Sequence, residues 1–247
     1  MPDCATVVPN APLTRIYYAI GDVHGEAARL SKLHETIFEH HLAFHPDTCA
    51  TLVHLGDYVD RGPDSRGVIE RLRALEKAAA NNPALEVICL RGNHEQMMIE
   101  ALDGGAMAEA LWARNGGVAT LDSYEACPAP GLLYRHHAWL KSRPFLHWSE
   151  EDRLVFVHAG LSGDLFPDEK PETYLWTRSD HFFDTANWSS SALEGHRVVH
   201  GHTPTDDYKP FVTDDGRRIN IDTGACWGGQ LTAAIIAPGD TVRFLSV

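Results

Sequence analysis

Short runs of β-branched and aromatic residues alternate with longer stretches of three-to-four periodicity through the first hundred residues. This is the pattern of strands joined by crossover helices. It predicts strands at 15–20, 51–55 and 86–90, with helices at 26–40, 65–80 and 94–102. Each predicted strand runs into a glycine-bearing polar loop: GDVHG after the first, GDYVDRG after the second and RGNHE after the third. In an α/β sheet the loops at the carboxyl ends of the strands converge on one edge, where ligands bind.

From 104 to 143 the pattern is helical and richer in aromatic residues (Trp112, Tyr124, Tyr134, Trp139), with breaks at Gly116, Gly117 and CPAPG. This stretch is expected to be a helical insertion packed over the sheet edge. After Pro144 the strand pattern returns at 145–149, 154–158, 197–200, 218–222, 231–237 and 242–245. Residues 167–195 lack periodicity and read as a surface excursion. Residues 1–14 have neither a basic nor an apolar leader region and read as an extended arm, leaving 15–247 as a single α/β domain.

Composition narrows the class. No apolar run reaches the length needed to cross a bilayer, so no membrane partner is expected. The five cysteines, Cys4, Cys49, Cys89, Cys127 and Cys226, contain no CxxC pair and suit reduced thiols in a cytoplasm. A net charge of −13 argues against a protein that holds nucleic acid by neutralising its backbone. Such a chain can still hold one phosphate, provided metal ions and a few arginines reverse the field inside a cleft.

The loops carry ligand-type residues. Asp22 and His24, two apart after the first strand, can reach a common ion, and Asp57 occupies the equivalent place after the second. Asn93, His158 and His202 follow three further apolar runs. Six mixed oxygen and nitrogen ligands exceed what one transition ion takes. They suit two ions sharing a carboxylate, with Asp57 as the candidate bridge. A single histidine among fifteen means little; the whole set at successive strand ends means much more.

GDVHG, GDYVDRG, LRGNHE, the HAG at 158–160 and the GHTP at 201–204 resemble the phosphoprotein phosphatase branch of the calcineurin-like metallophosphoesterases. NIDTGACWGG and NGGVATLDSY are similar to its bacterial members. The resemblance implies a two-sheet β-sandwich core flanked by helices and a dinuclear metal-dependent phosphoesterase. Carried over by position, Asp22 and His24 bind one metal, Asp57 bridges, and Asn93, His158 and His202 bind the second. The family's general acid falls on His94, its orienting carboxylate on Asp60, and its phosphate-binding arginines on Arg61 and Arg178.

Two divalent ions, manganese foremost with iron or zinc as alternatives, would generate a bridging hydroxide that attacks phosphorus in line. His94 would protonate the departing alkoxide, with Asp60 raising its pKa. The implied substrates are phosphoserine and phosphothreonine in proteins, extending to phosphotyrosine. The alternative is a symmetrical dinucleoside polyphosphate hydrolase, whose motifs resemble GDLVARG and GNHD, whereas this chain keeps Asp60 and Glu95. A dead scaffold protein would have lost a ligand or the Asp60–His94 pair. His54, Tyr58, Glu95 and His200 are expected to support the ligands, and nothing in the sequence sets the oligomeric state.

Overall fold

The computed structural model describes residues 15–126, 128–237 and 240–247; the predicted arm at 1–14 and Cys127 lie outside them. The first sheet is built on β1 (Arg15–Ile20), β2 (Cys49–His54) and β3 (Leu85–Cys89), all parallel. Helices α1 (Ala27–Phe44) and α2 (Ser65–Ala79) connect them, and α3 (Asn93–Asp103) leaves β3. Helix α1 runs a turn past its predicted end, because nothing breaks it before His45 and Pro46. The second sheet holds β4 (Leu146–Ser149), β5 (Leu154–Val157), β6 (Arg197–His200), β7 (Phe211–Val212) and β8 (Arg218–Asn220), in the order β4-β5-β6-β8-β7. The last two strands, β9 (Thr232–Ile236) and β10 (Arg243–Ser246), return to the first sheet beside β1, giving β10-β9-β1-β2-β3.

Alternation within the strands explains the layering. Tyr17, Ala19 and Val53 point to the second sheet and meet Leu154, Phe156, Val199 and Ile219 from it. The intervening Ile16, Tyr18 and Ile20 point outward and pack under Leu30, Leu33 and Ile37 of α1 and Val68, Ile69 and Leu72 of α2. Both faces of β1 and β2 are therefore dry, which is why these strands read as unbroken apolar runs. The two sheets packed face to face with helices outside them are the expected two-sheet sandwich.

The helical insertion forms α4 (Ala106–Trp112), a π-helical turn at Ala113–Gly117, α5 (Val118–Glu125) and α6 (Leu132–Lys141). Its main contacts are with α2 and α3 of the helical layer, and it reaches the loop after β2 where the Arg61 N–H donates to the Gly116 carbonyl. Residues 167–195 are not a loose excursion. Short helices α7 (Pro171–Trp176) and α8 (Asp180–Phe183) bury Tyr174, Leu175 and Phe182, and with Phe166, Trp188 and Leu193 they cover Val155, Val157 and Val198 on the outer face of the second sheet. Among the described residues no helix is long and apolar enough to cross a membrane.

Register places the functional loops. Ile20 lies opposite His54, and His54 opposite Cys89, so β1, β2 and β3 end level. In the second sheet His200 pairs with Asn220 at the ends of β6 and β8. The loops leaving these strands thus start on a common rim.

Candidate active site

The loop after β2 is shaped from behind by α3. One carboxylate, Glu95, accepts the backbone N–H groups of Asp57 and Tyr58 at 2.7 Å, Gly92 at 2.8 Å and Val59 at 3.2 Å. Position 92 admits no side chain, since a Cβ there would lie 2.3 Å from the Asp57 amide nitrogen. The rim is also conformationally strained. Five of the seven non-glycine residues with left-handed backbone among the described residues are His24, Asp57, Asp60, Arg61 and His202. Each such residue costs on the order of 1–3 kcal/mol, and that strain is concentrated at the predicted site positions.

The six predicted ligands come together. His24 directs Nδ1 at the Val59 carbonyl (2.8 Å) and His158 directs Nδ1 at the Leu55 carbonyl (3.1 Å). Those bonds fix the proton on Nδ1 and leave each Nε2 as a lone pair. The His24 lone pair faces Asp57 Oδ2 at 3.4 Å, and that of His158 faces Asp57 Oδ1 at 3.3 Å and Asn93 Oδ1 at 2.8 Å. His202 Nδ1 lies 2.9 Å from the same Asn93 oxygen. Asp22 accepts the His202 backbone N–H at 3.1 Å, and a Cβ at Gly201 would fall 2.0 Å from Asp22 Oδ1. Two groups, His24–Asp57–His94 and Asp57–His158–His202, bring their donor atoms within 4.8 Å of one another, with Asp57 common to both.

This arrangement fits metal ions and little else. Oxygen and nitrogen donors held about 2.1 Å from one ion at right angles lie about 3 Å apart, close to the separations here. Burial, with Asp222 and Asp57 nearby, pushes the Asp22 carboxyl well above the ordinary range; burial and Glu95 do the same to Asp57. Burial holds the His24 and His158 rings neutral, the latter pushed down to about 3. Even with Arg61 nearby the buried carboxylates stay raised, so beside neutral imidazoles they are short of the positive charge that a divalent cation would supply.

On the other side of Asp57 lies the predicted acid. His94 donates its backbone N–H to Asp57 Oδ1 (3.0 Å) and faces Asp60 Oδ2 through Nδ1 at 2.7 Å. Asp60 is fully buried and also accepts from Trp112 Nε1 (2.9 and 3.0 Å) and Thr120 Oγ1 (2.7 Å). The expected lift of the His94 pKa by Asp60 is opposed by its surroundings. Burial, reinforced by Arg61 and Arg178, pushes His94 down to about 3, while burial pushes Asp60 up to about 7. The two groups titrate together, so the proton between them belongs to the pair.

Arg61 Nη1 donates to His24 Nε2 at 2.7 Å, and Arg178 Nε donates to His202 Nε2 at 3.0 Å. Both predicted phosphate-binding arginines therefore reach the cluster and lean on its histidines. His200 sits behind the rim, fully buried, accepting from Arg218 Nη1 at 3.0 Å.

Sequence reasoning missed Asp222, which is buried against Asp22 with its own carboxyl pushed up to about 6 by burial. It also missed Trp112 and Thr120 as partners of Asp60. The available signal was the pair of segments NIDTGACWGG and NGGVATLDSY, which contain Asp222 and Thr120.

A fold of two stacked sheets with a histidine–aspartate–asparagine cluster on their shared rim defines a class. The chain belongs to the calcineurin-like phosphoesterases, whose family model matches residues 17–226. It is thus a metal-dependent hydrolase of phosphoesters. Among curated relatives it is 30% identical over 244 residues, covering 92% of each chain, to the asymmetrical bis(5'-nucleosyl)-tetraphosphatase PrpE of Bacillus cereus strain AH820. Among solved structures it is similar to a Saccharomyces cerevisiae protein serine/threonine phosphatase (TM-score 0.65, 15% identity, 96% of this chain and 81% of that one). It is also similar to a cold-active protein-tyrosine phosphatase of a Shewanella species (TM-score 0.63, 17% identity, 97% and 83%). At these identities the two structures speak for the fold.

Proposed function

We propose that the chain hydrolyses phosphomonoesters of protein hydroxyl groups, phosphoserine and phosphothreonine first and phosphotyrosine by extension. Asp22, His24, Asp57, Asn93, His158 and His202 would hold two divalent ions. The observation that carries this reading is the His94–Asp60 pair, buried and closed at 2.7 Å beside the ligand cluster. A proton kept within reach of the phosphoryl site has its greatest value when the leaving group is an alkoxide.

Divalent ions, manganese foremost with iron or zinc as alternatives, supply Lewis acidity toward water and the phosphoryl oxygens. The protein's own groups do the rest. Arg61 and Arg178 swing from His24 and His202 to grip non-bridging oxygens, where a planar guanidinium matches phosphate. His94 delivers the proton of the pair from Nε2 to the departing oxygen while Nδ1 draws on Asp60. Trp112 and Thr120 hold Asp60 in place throughout.

A second reading is favoured by the curated relatives: cleavage of bis(5'-nucleosyl) tetraphosphates, asymmetrical where the motif comparison considered the symmetrical kind. A side-by-side rate comparison of a phosphoserine peptide, a phosphotyrosine peptide and diadenosine tetraphosphate tests both. The first reading expects the phosphoserine peptide to be preferred. The second expects the tetraphosphate to be preferred and cut into a monophosphate and a triphosphate; two diphosphates would mark symmetrical cleavage. Full activity in excess chelator on every substrate would sink the metal-dependent reading as a whole.

A further inference from the structure

Trp227 is 56% exposed, although the turn that carries it is firmly built. The 3₁₀ turn Ala225–Trp227 lies between Gly224 and Gly228, both in left-handed conformation. The Gly224 N–H donates to Asp222 Oδ1 at 3.1 Å, and the N–H groups of Trp227 and Gly229 donate to the Gly224 carbonyl at 2.8 and 3.0 Å. Arg29 donates from α1 to the Ala225 and Gly229 carbonyls and clamps the turn from outside. An indole held in water by a rigid turn forfeits the stabilisation that burial would give it and stays open to a ligand.

Its neighbour fixes what it faces. The Arg61 guanidinium lies 5.2 Å from the Trp227 ring centroid, and the same side chain reaches His24 Nε2 at 2.7 Å. One arginine therefore spans the distance from indole to ligand cluster. A planar group attached to a phosphate gripped by Arg61 would have the exposed indole within reach. With a net charge of −13, stacking also gives a polyanionic substrate a source of affinity that does not depend on the overall field.

We propose that Trp227 is a specificity-determining residue whose indole stacks against a nucleobase carried by the substrate, with Arg61 linking that platform to the phosphate. The inference rests on the tetraphosphate reading. Stacking tolerates any base, so the expected preference is for nucleotides as a class, not for one base.

The test compares wild type, Trp227→Ala and Trp227→Phe on diadenosine tetraphosphate and on a phosphoserine peptide. Trp227→Ala should raise KM for the tetraphosphate about ten- to hundredfold, with Trp227→Phe recovering most of the loss. KM for the phosphoserine peptide should move less than about threefold. An equal rise for both substrates overturns the proposal, because Trp227 would then act only by supporting Arg61. Binding of adenosine monophosphate, followed by tryptophan fluorescence, separates this failure from that of the hydrolytic reading. Quenching that is present in wild type and lost in Trp227→Phe supports the platform even if the tetraphosphate is not cut. Unchanged quenching in Trp227→Phe overturns it even if the tetraphosphate is cut.

Discussion

Replacing Trp112 by phenylalanine removes the indole N–H together with part of a buried ring. The indole Nε1 lies 2.9 and 3.0 Å from the two oxygens of Asp60, a carboxylate with no access to water. A hydrogen bond to a charged acceptor is worth about 1.5–3 kcal/mol, and no solvent can replace this one. With the cavity left by the smaller ring, the variant should lose at least about that much stability in urea denaturation. Losing a donor makes Asp60 a stronger base, which draws the proton of the pair toward it and frees the His94 ring to turn. General acid catalysis contributes roughly 10²–10⁴-fold, and a loosened acid should forfeit about tenfold of it on a phosphoserine peptide. p-Nitrophenyl phosphate, whose leaving group scarcely needs a proton, should slow no more than about twofold. Equal slowing of the two esters, or a denaturation midpoint unchanged from wild type, would refute the assigned role of Trp112.

Glu95→Gln puts an amide where four backbone N–H groups converge. At least one donor must then face another, so a loss of at least about 3 kcal/mol and a weaker metal titration are expected in calorimetry; wild-type values for both would exclude the bracing role. Gly201→Ala drives a methyl toward Asp22 Oδ1, so metal affinity should fall by tenfold or more with a far smaller change in secondary structure by circular dichroism. Unaltered affinity would remove Asp22 from the ligand set. His34 is buried against His54 and Arg71, and burial, His54 and Arg71 push it down to about 2 from an ordinary 6.5. Below pH 6.5 the unfolded chain takes up a proton that the folded chain refuses, so the stability associated with neutral His34 is lost as pH falls through 6.5 toward 2. That amounts to a slope of about 1.4 kcal/mol per pH unit. His34→Gln should flatten the stability profile between pH 6 and 4.5 by about this slope, and parallel profiles would contradict it.

Much of the architecture was legible because burial on both faces writes itself into β1, β2, β5 and β6 as unbroken apolar runs. Their level ends then made the following polar residues neighbours, which is why six ligand-type side chains scattered from 22 to 202 could be grouped in advance. What was missed has physical causes. Strand β7 has two residues, too few to show a period. The stretch from Leu161 to Leu193 buries one large side chain at a time between short turns, so its apolar positions follow no helical or strand spacing. The motifs bring His94 and Asp60 together but do not show what surrounds the pair. Spacing shows which groups meet, whereas the cost of burying their charges depends on surroundings supplied by Trp112, Thr120 and two arginines. Glu95 stood in plain view within LRGNHE, yet its partners are amide hydrogens, which no side-chain motif displays.

That last point has a consequence for how the rim can change. Glu95 recognises peptide N–H groups, which every residue except proline possesses, so it dictates the course of the chain at 57–59 while remaining indifferent to the side chains there. The chemistry of this loop can be rewritten one residue at a time on a fixed curve. The same carboxylate grips Gly92, the residue before Asn93, so the second and third loops are fastened by a single latch. Released, it would let go of Asp57 and Asn93 together, and the two halves of the cluster would be lost in one event.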